Sequence, residues 1–146
     1  VVYFGADQDV ELAHVADVGL TLKTATTSDD TKATLTLQTG ETDIAINDVL
    51  GQLHFQAPDE GAGTDAILVA AGIAAISEGD FSASNNATKL SFQTGASEAA
   101  SEKMSLSSVG SLHLTGTATT NQLKIENSDG GTASAPDLVL FSSSNE

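Results

Sequence analysis

The 146-residue sequence lacks cysteine, arginine and tryptophan, and each absence excludes a class of protein. Without cysteine there are no disulfides, thiolate nucleophiles, zinc–thiolate sites or iron–sulfur clusters. The five basic residues are all lysines and face 20 acidic residues, a net charge of −15, which argues against binding nucleic acid or an anionic membrane surface. The longest apolar run, residues 65–76, is too short to span a membrane, so we expect no membrane insertion.

The chain also contains few large apolar side chains. Hydrophobic residues make up 40% of the chain, but alanine supplies a large share of them and aromatic residues account for only 4%. Such a composition is above the range typical of disorder, yet it is poor for a self-sufficient core. We therefore expect burial to be completed by identical neighbouring chains.

Short apolar–x–apolar triplets are the dominant local pattern. Alternate side chains of a β-strand point to the same face, so each triplet places two large apolar groups together. Turn-rich stretches separate the triplets, and the whole pattern predicts an all-β chain of short strands. The predicted core consists of the triplet residues Leu20, Leu22, Leu35, Leu37, Leu53, Phe55, Leu90, Phe92, Leu112, Leu114, Leu123, Ile125, Leu138 and Leu140, and Ile44–Ile46 has the same pattern.

The apolar run at residues 65–76 fits two structures. Its alanines favour a helix. As a strand, it would place Ile67, Val69, Ala71 and Ile73 on one face and smaller residues mostly on the other, which suits a strand covered on both sides. We favour the strand and leave the helix open.

Internal repetition gives the domain organisation. Residues 20–43 align without a gap on 123–146, and inside this unit LTLQTG (35–40) matches LSFQTG (90–95), while GQLHF (51–55) matches GSLHL (110–114). We predict that residues 1–19 are a connector or the end of a preceding unit, that 20–122 form one repeat unit, and that 123–146 begin the next. We expect the natural polypeptide to continue.

Two blocks resemble tail fibre proteins of bacteriophages, especially phages of marine bacteria. They are VYFGADQDVELAHVADVGL (2–20) and LGQLHFQAPDEGAGTDAILVAAGIAAISEGDF (50–81), the latter followed by TKLSFQTGASEAASEKMSLSSVGSLHLTG (88–116). The resemblance implies a parallel homotrimer of elongated fibrous modules, either an intertwined β shaft or small sandwich-like repeat units. It implies a virion structural protein, made in the host cytoplasm, that contacts other tail proteins and presents a receptor-binding tip for host attachment. Whether this segment itself touches the receptor stays open.

Candidate sites for chemistry are sparse, and we expect no enzymatic activity, no catalytic residue and no cofactor. His54 and His113 occupy equivalent half-repeat positions; each is expected to face solvent, although in a trimer three copies could form an axial ion site. The acidic turn with Asp59, Glu60 and Asp65 could bind calcium but fits no known calcium-loop spacing, so we expect no resident metal.

Two other functions compete with the fibre hypothesis. A repetitive bacterial surface adhesin or extracellular filament would share the β repeats. A tailspike depolymerase module would need paired carboxylates beside aromatic side chains that stack on sugar rings, a combination this sequence does not indicate.

Overall fold

The chain forms two antiparallel sheets in a computed structural model that describes residues 2–4, 10–57, 63–116 and 123. The first sheet has the order β1-β2-β3, with β1 at Val2–Phe4, β2 at Val10–Val15 and β3 at Gly19–Thr24. Asp17 and Gly19 have positive φ angles of 62° and 125° in the β2–β3 turn. Aspartate and glycine tolerate that conformation, so these residues allow the hairpin to close.

The second sheet is a five-stranded meander in which each strand pairs with the next along the chain. Its strands are β4 (Val49–Gln56), β5 (Val69–Ser77), β6 (Thr88–Thr94), β7 (Ser101–Leu106) and β8 (Leu112–Leu114). The described residues contain no α-helix, and the all-β prediction is confirmed.

The apolar run at 65–76 is a strand over most of its length. A single 3₁₀ turn at Asp65–Ile67 precedes β5, and β5 pairs with β4 on one side and β6 on the other. The favoured strand prediction is therefore confirmed from Val69 onward. The alanines do not produce a helix because the strand gains two neighbouring strands, and tertiary pairing overrides local propensity.

Two of the predicted strands are absent. The described chain has no strand between residues 25 and 48, so the strand prediction is wrong for Leu35–Leu37 and Ile44–Ile46 in the single chain. The reason is that neither triplet has a strand beside it to complete a ladder. The triplets at residues 20–22, 53–55, 90–92 and 112–114 do lie in strands, whereas 124–146 lie outside the described residues.

Residues 44–48 instead form a turn that is tied to the end of β5 through Ser77. The Ser77 side chain is buried; its hydroxyl donates to the Ala45 carbonyl and accepts from the Asp48 N–H at 2.9 Å. The Asp48 carboxylate accepts from the Ala45 N–H at 2.6 Å, and the Phe81 N–H donates to the Ile44 carbonyl at 2.9 Å. These bonds direct the chain before β4 toward the β5–β6 loop.

Very little of the single chain is fully buried. Among the residues whose side chains are described, Ala74 is the one apolar side chain in the fully buried class, at 2% exposure. The other fully buried side chains are serines, at positions 77, 91 and 105. The five-stranded sheet has no covering layer among the described residues, and this explains the low burial because a domain normally buries its apolar surface between two layers.

Candidate functional site: the apolar face of the five-stranded sheet

The register of the five strands gathers most of their large apolar side chains on one side of the sheet, whereas Val49 and Ile76 are in register with Lys89 on the other side. Residues opposite each other in antiparallel strands point to the same face. One row across all five strands is Leu53, Ile73, Phe92, Met104 and Leu114. We call this side the apolar face; its other members are Phe55 and Ala71 in a row on one side, and Ala75, Leu90, Leu106 and Leu112 in a row on the other.

The apolar face is half-exposed along its whole width. Leu53 is 47% exposed, Phe55 56% and Leu112 64%, whereas the middle positions Ile73 and Phe92 are partly shielded by their neighbours. Burying apolar area stabilises a protein by roughly 25 cal/mol per Å². A sheet face this apolar therefore gains substantial free energy from any apolar surface that covers it.

One corner of the apolar face is already occupied by the segment that precedes β4. Leu37 lies over Gly51 so closely that a Cβ at Gly51 would come within 2.7 Å of the Leu37 Cβ. Between Leu37 and the sheet is an open apolar hollow of about 180 Å³, lined also by Leu53, Ile73 and Leu90. Position 51 thus requires glycine, because Leu37 approaches the backbone of β4 too closely to leave room for a side chain.

The opposite side of the sheet is polar and is built on small residues. Gly72, Ala74, Ser91 and Ser105 are buried there. A Cβ at Gly72 would lie 3.3 Å from Gln93 Oε1 and 3.3 Å from His54 Cδ2, so these two side chains cover the glycine. This polar face suits contact with water, in contrast to the apolar face.

An ion pair crosses the polar face between β6 and β7. Lys89 Nζ lies 2.8 Å from a Glu102 carboxylate oxygen. Burial pushes the pKa of Glu102 upward, but Lys89 and the nearby Ser91 and Ser105 hydroxyls outweigh it, so the pKa falls below its usual value. The Ser91 Oγ is buried and has no partner in hydrogen-bonding geometry among the described residues.

A second carboxylate joins two turns at one end of the sheet. A Glu78 carboxylate oxygen accepts a hydrogen bond from the Ser108 N–H at 2.8 Å, and bonding to Ser108 lowers the pKa of Glu78. Glu78 follows β5 and Ser108 lies in the β7–β8 turn. The contact is structural, since it fixes one turn against another.

The two histidines singled out in the sequence are not brought together within one chain. His54 pairs with Gly72 and His113 pairs with Ser105, which places both on the polar face but on the two outer strands. Those strands are four strand spacings apart, about 19 Å at the usual ~4.8 Å per spacing. An ion site made of His54 and His113 of one chain is therefore excluded; a ring of three copies of one histidine stays a hypothesis.

The acidic turn offers no assembled metal site in the part that the structure describes. Asp65 is exposed at the start of the 3₁₀ turn, with its carboxylate 3.4 Å from the Thr64 hydroxyl. Asp59 and Glu60 lie outside the described residues. Among the residues that are described, no three His, Asp or Glu side chains cluster as metal ligands would.

The predicted core residues divide into three groups in the single chain. Leu22, Phe92 and Leu114 are half-buried. The exposed ones are Leu20, Leu35, Leu37, Leu53, Phe55, Leu90, Leu112 and Leu123. Ile125, Leu138 and Leu140 lie outside the described residues. These residues were expected to be buried between chains. Their exposure in a single chain does not test that expectation, which stays a prediction.

Sequence reasoning overlooked some members of the apolar face. Met104 and Leu106 form an apolar–x–apolar triplet with Ser105, a signal that could have identified β7. A register shift between Phe92 and Gln93 leaves Lys103 as an extra residue, and no sequence signal marked this bulge. The bulge keeps Met104 on the apolar face and Glu102 on the polar face.

Comparison with protein-family models and with curated proteins finds no match to this chain. Across the described residues, no helix is long and apolar enough to cross a membrane.

Proposed function

We propose that this chain is a structural segment of a bacteriophage tail fibre, a trimeric shaft that holds a receptor-binding tip toward the host surface. The observation that carries the proposal is the half-exposed apolar face, which runs across all five strands of the larger sheet. The family resemblance and the internal repeat of the sequence support the same function.

Packing of three apolar faces against one another would supply the core that one chain lacks. The polar faces would then point outward, with Lys89, Glu102 and the histidines toward solvent. Three chains would carry a formal charge of three times −15, which keeps neighbouring fibres apart and favours solubility. A long, acidic object with a shared apolar core is suited to a spacer.

The polar face supports a mechanical function over hydrolysis of a polysaccharide. Its strands carry a single carboxylate in the described residues, Glu102, and that carboxylate is held by Lys89 at 2.8 Å. Glycoside hydrolysis commonly uses two carboxylates on either side of the scissile bond. We therefore propose no enzymatic activity for this segment.

Immunogold electron microscopy tests the proposed function. Antibodies raised against the purified segment should label thin appendages on virions from the source of the sequence, and serum pre-absorbed with the segment should not. Label confined to bacterial surfaces or extracellular filaments would overturn the proposal in favour of the adhesin alternative.

A further inference from the structure

The stretch from residue 33 to residue 40 has the composition of a strand but no partner. It contains no charged residue and no proline, and Leu35 and Leu37 alternate with Thr34, Thr36 and Gln38. Residues 33–38 make no hydrogen bond with the rest of the described chain, and Thr39 accepts one from the Glu41 N–H. Leu35 is 68% exposed and Leu37 44%.

The same motif is fully paired elsewhere in the chain. LSFQTG at 90–95 lies mainly in β6, which pairs with β5 on one side and β7 on the other. LTLQTG at 35–40 differs from it at two positions, and both changes keep the residue class: serine to threonine and phenylalanine to leucine. The segment at 33–40 is therefore competent to pair once a strand edge is presented to it.

The outer edge of β4 is such an edge. β4 spans eight residues and has a neighbour on one side only in the described residues. It contains no lysine, acid or proline, the residues that commonly protect an exposed edge from pairing. The other outer strand, β8, has three residues and offers a much shorter ladder.

The chain's own segment is directed away from this edge. The bond from the Phe81 N–H to the Ile44 carbonyl ties the preceding turn to the β5–β6 loop, and Leu37 then lies over the face of Gly51 instead of beside β4. Residues 33–40 of the same chain therefore do not pair with this edge, which leaves it open to the same segment of another chain.

We propose that residues 33–40 of one copy add as a strand to the outer edge of β4 of a second copy. This inference rests on the self-association in the proposed function and names the segment and the edge that carry it. Leu35 and Leu37 then extend the apolar face beside Leu53 and Phe55, while Thr36 lies on the same side as His54.

A cross-linking experiment tests the pairing, since the chain has no cysteine of its own. T36C and H54C are made in separate chains, mixed in denaturant, refolded together and oxidised. A disulfide between the two variants can only join different chains. We expect a T36C–H54C dimer on a non-reducing gel, and no dimer when T27C, at an exposed threonine outside residues 33–40, replaces T36C.

Hydrogen exchange of the unmodified chain is the second measurement. It needs no cysteine variant, so it tests the pairing even if a variant fails to refold. Amides of residues 34–39 should exchange slowly in the assembled protein. A trimer with no T36C–H54C link and with fast exchange at 34–39 would overturn this inference alone. A monomeric wild-type chain would overturn the proposed function as well.

Discussion

The two copies of one motif have different structures in the same chain. LSFQTG at 90–95 contributes to a central strand with a neighbour on each side, whereas LTLQTG at 35–40 forms no strand and is mostly exposed. The local sequence is nearly the same in the two places, so it cannot be the cause of the difference in secondary structure. What differs is whether the chain brings a strand edge alongside, and strand formation here follows from the neighbours.

The largest expected effect comes from removing a large side chain of the apolar face. Leu53→Ala should dissociate or unfold the assembly, because truncating a leucine that becomes buried costs about 2–5 kcal/mol and occurs once in every chain. His54→Ala, one residue away on the polar face, should change the free energy of unfolding by no more than about 0.5 kcal/mol. Urea unfolding of both variants measures this, and equal losses would place His54 inside.

Equivalent positions of the two motif copies give a smaller, sharper contrast. Phe92→Ala removes a ring between Ile73 and Met104 that is half-buried in one chain and becomes covered in the proposed assembly, so it should cost about 3–5 kcal/mol. Leu37→Ala removes a side chain that is 44% exposed and should cost less. Chemical denaturation of both variants is the measurement. A larger loss for Leu37→Ala would show that the first copy is packed more tightly than the second.

The contact between Leu37 and Gly51 can be tested by adding one methyl group. Gly51→Ala would place a Cβ 2.7 Å from the Leu37 Cβ and 3.1 Å from the Leu37 carbonyl oxygen. Overpacking of this kind costs about 1–3 kcal/mol. Gly40→Ala is the matched control, since nothing lies within 4 Å of its new Cβ. Equal melting temperatures for the two variants would mean that Leu37 does not lie over Gly51 in the folded protein, which is the result expected if residues 33–40 pair with another copy.

The smallest expected effect is a loss of stability in acid. The pKa of Glu102 is lower in the folded chain than its usual value of 4.5, so its stabilisation is present above that pH and is lost as the pH falls through the folded pKa. Glu102→Gln should flatten the dependence of the melting temperature on pH below about 4.5. Glu41→Gln, an exposed control, should not; an unchanged profile for Glu102→Gln would argue against the pair with Lys89.

Much of the larger sheet could be predicted from alternation. Leu53–Phe55, Leu90–Phe92 and Leu112–Leu114 lie in strands, and alternation at 69–76 helped to favour a strand at β5. A period of two in apolar residues predicts a strand well where the neighbouring strands of the sheet are also its neighbours in sequence. It also separates His54 from Leu53 and Phe55, because successive side chains must alternate.

Other features could not be predicted because they depend on contacts between distant residues. The turn at 44–48 is determined by Ser77, which lies 29 residues from Asp48. The strand at Val10–Val15 was overlooked although Val10 and Leu12 flank Glu11 as an apolar–x–apolar triplet; it pairs with strands on both sides. The Leu37–Gly51 contact likewise needed the fold, since no periodicity links the two positions.

Sedimentation equilibrium of the purified segment tests the central claim, that one chain leaves an apolar face which identical chains cover. The account predicts a single species of three times the chain mass of 14.8 kDa, with an unfolding midpoint that rises with protein concentration. A well-folded monomer, with cooperative unfolding that is independent of concentration, would contradict it.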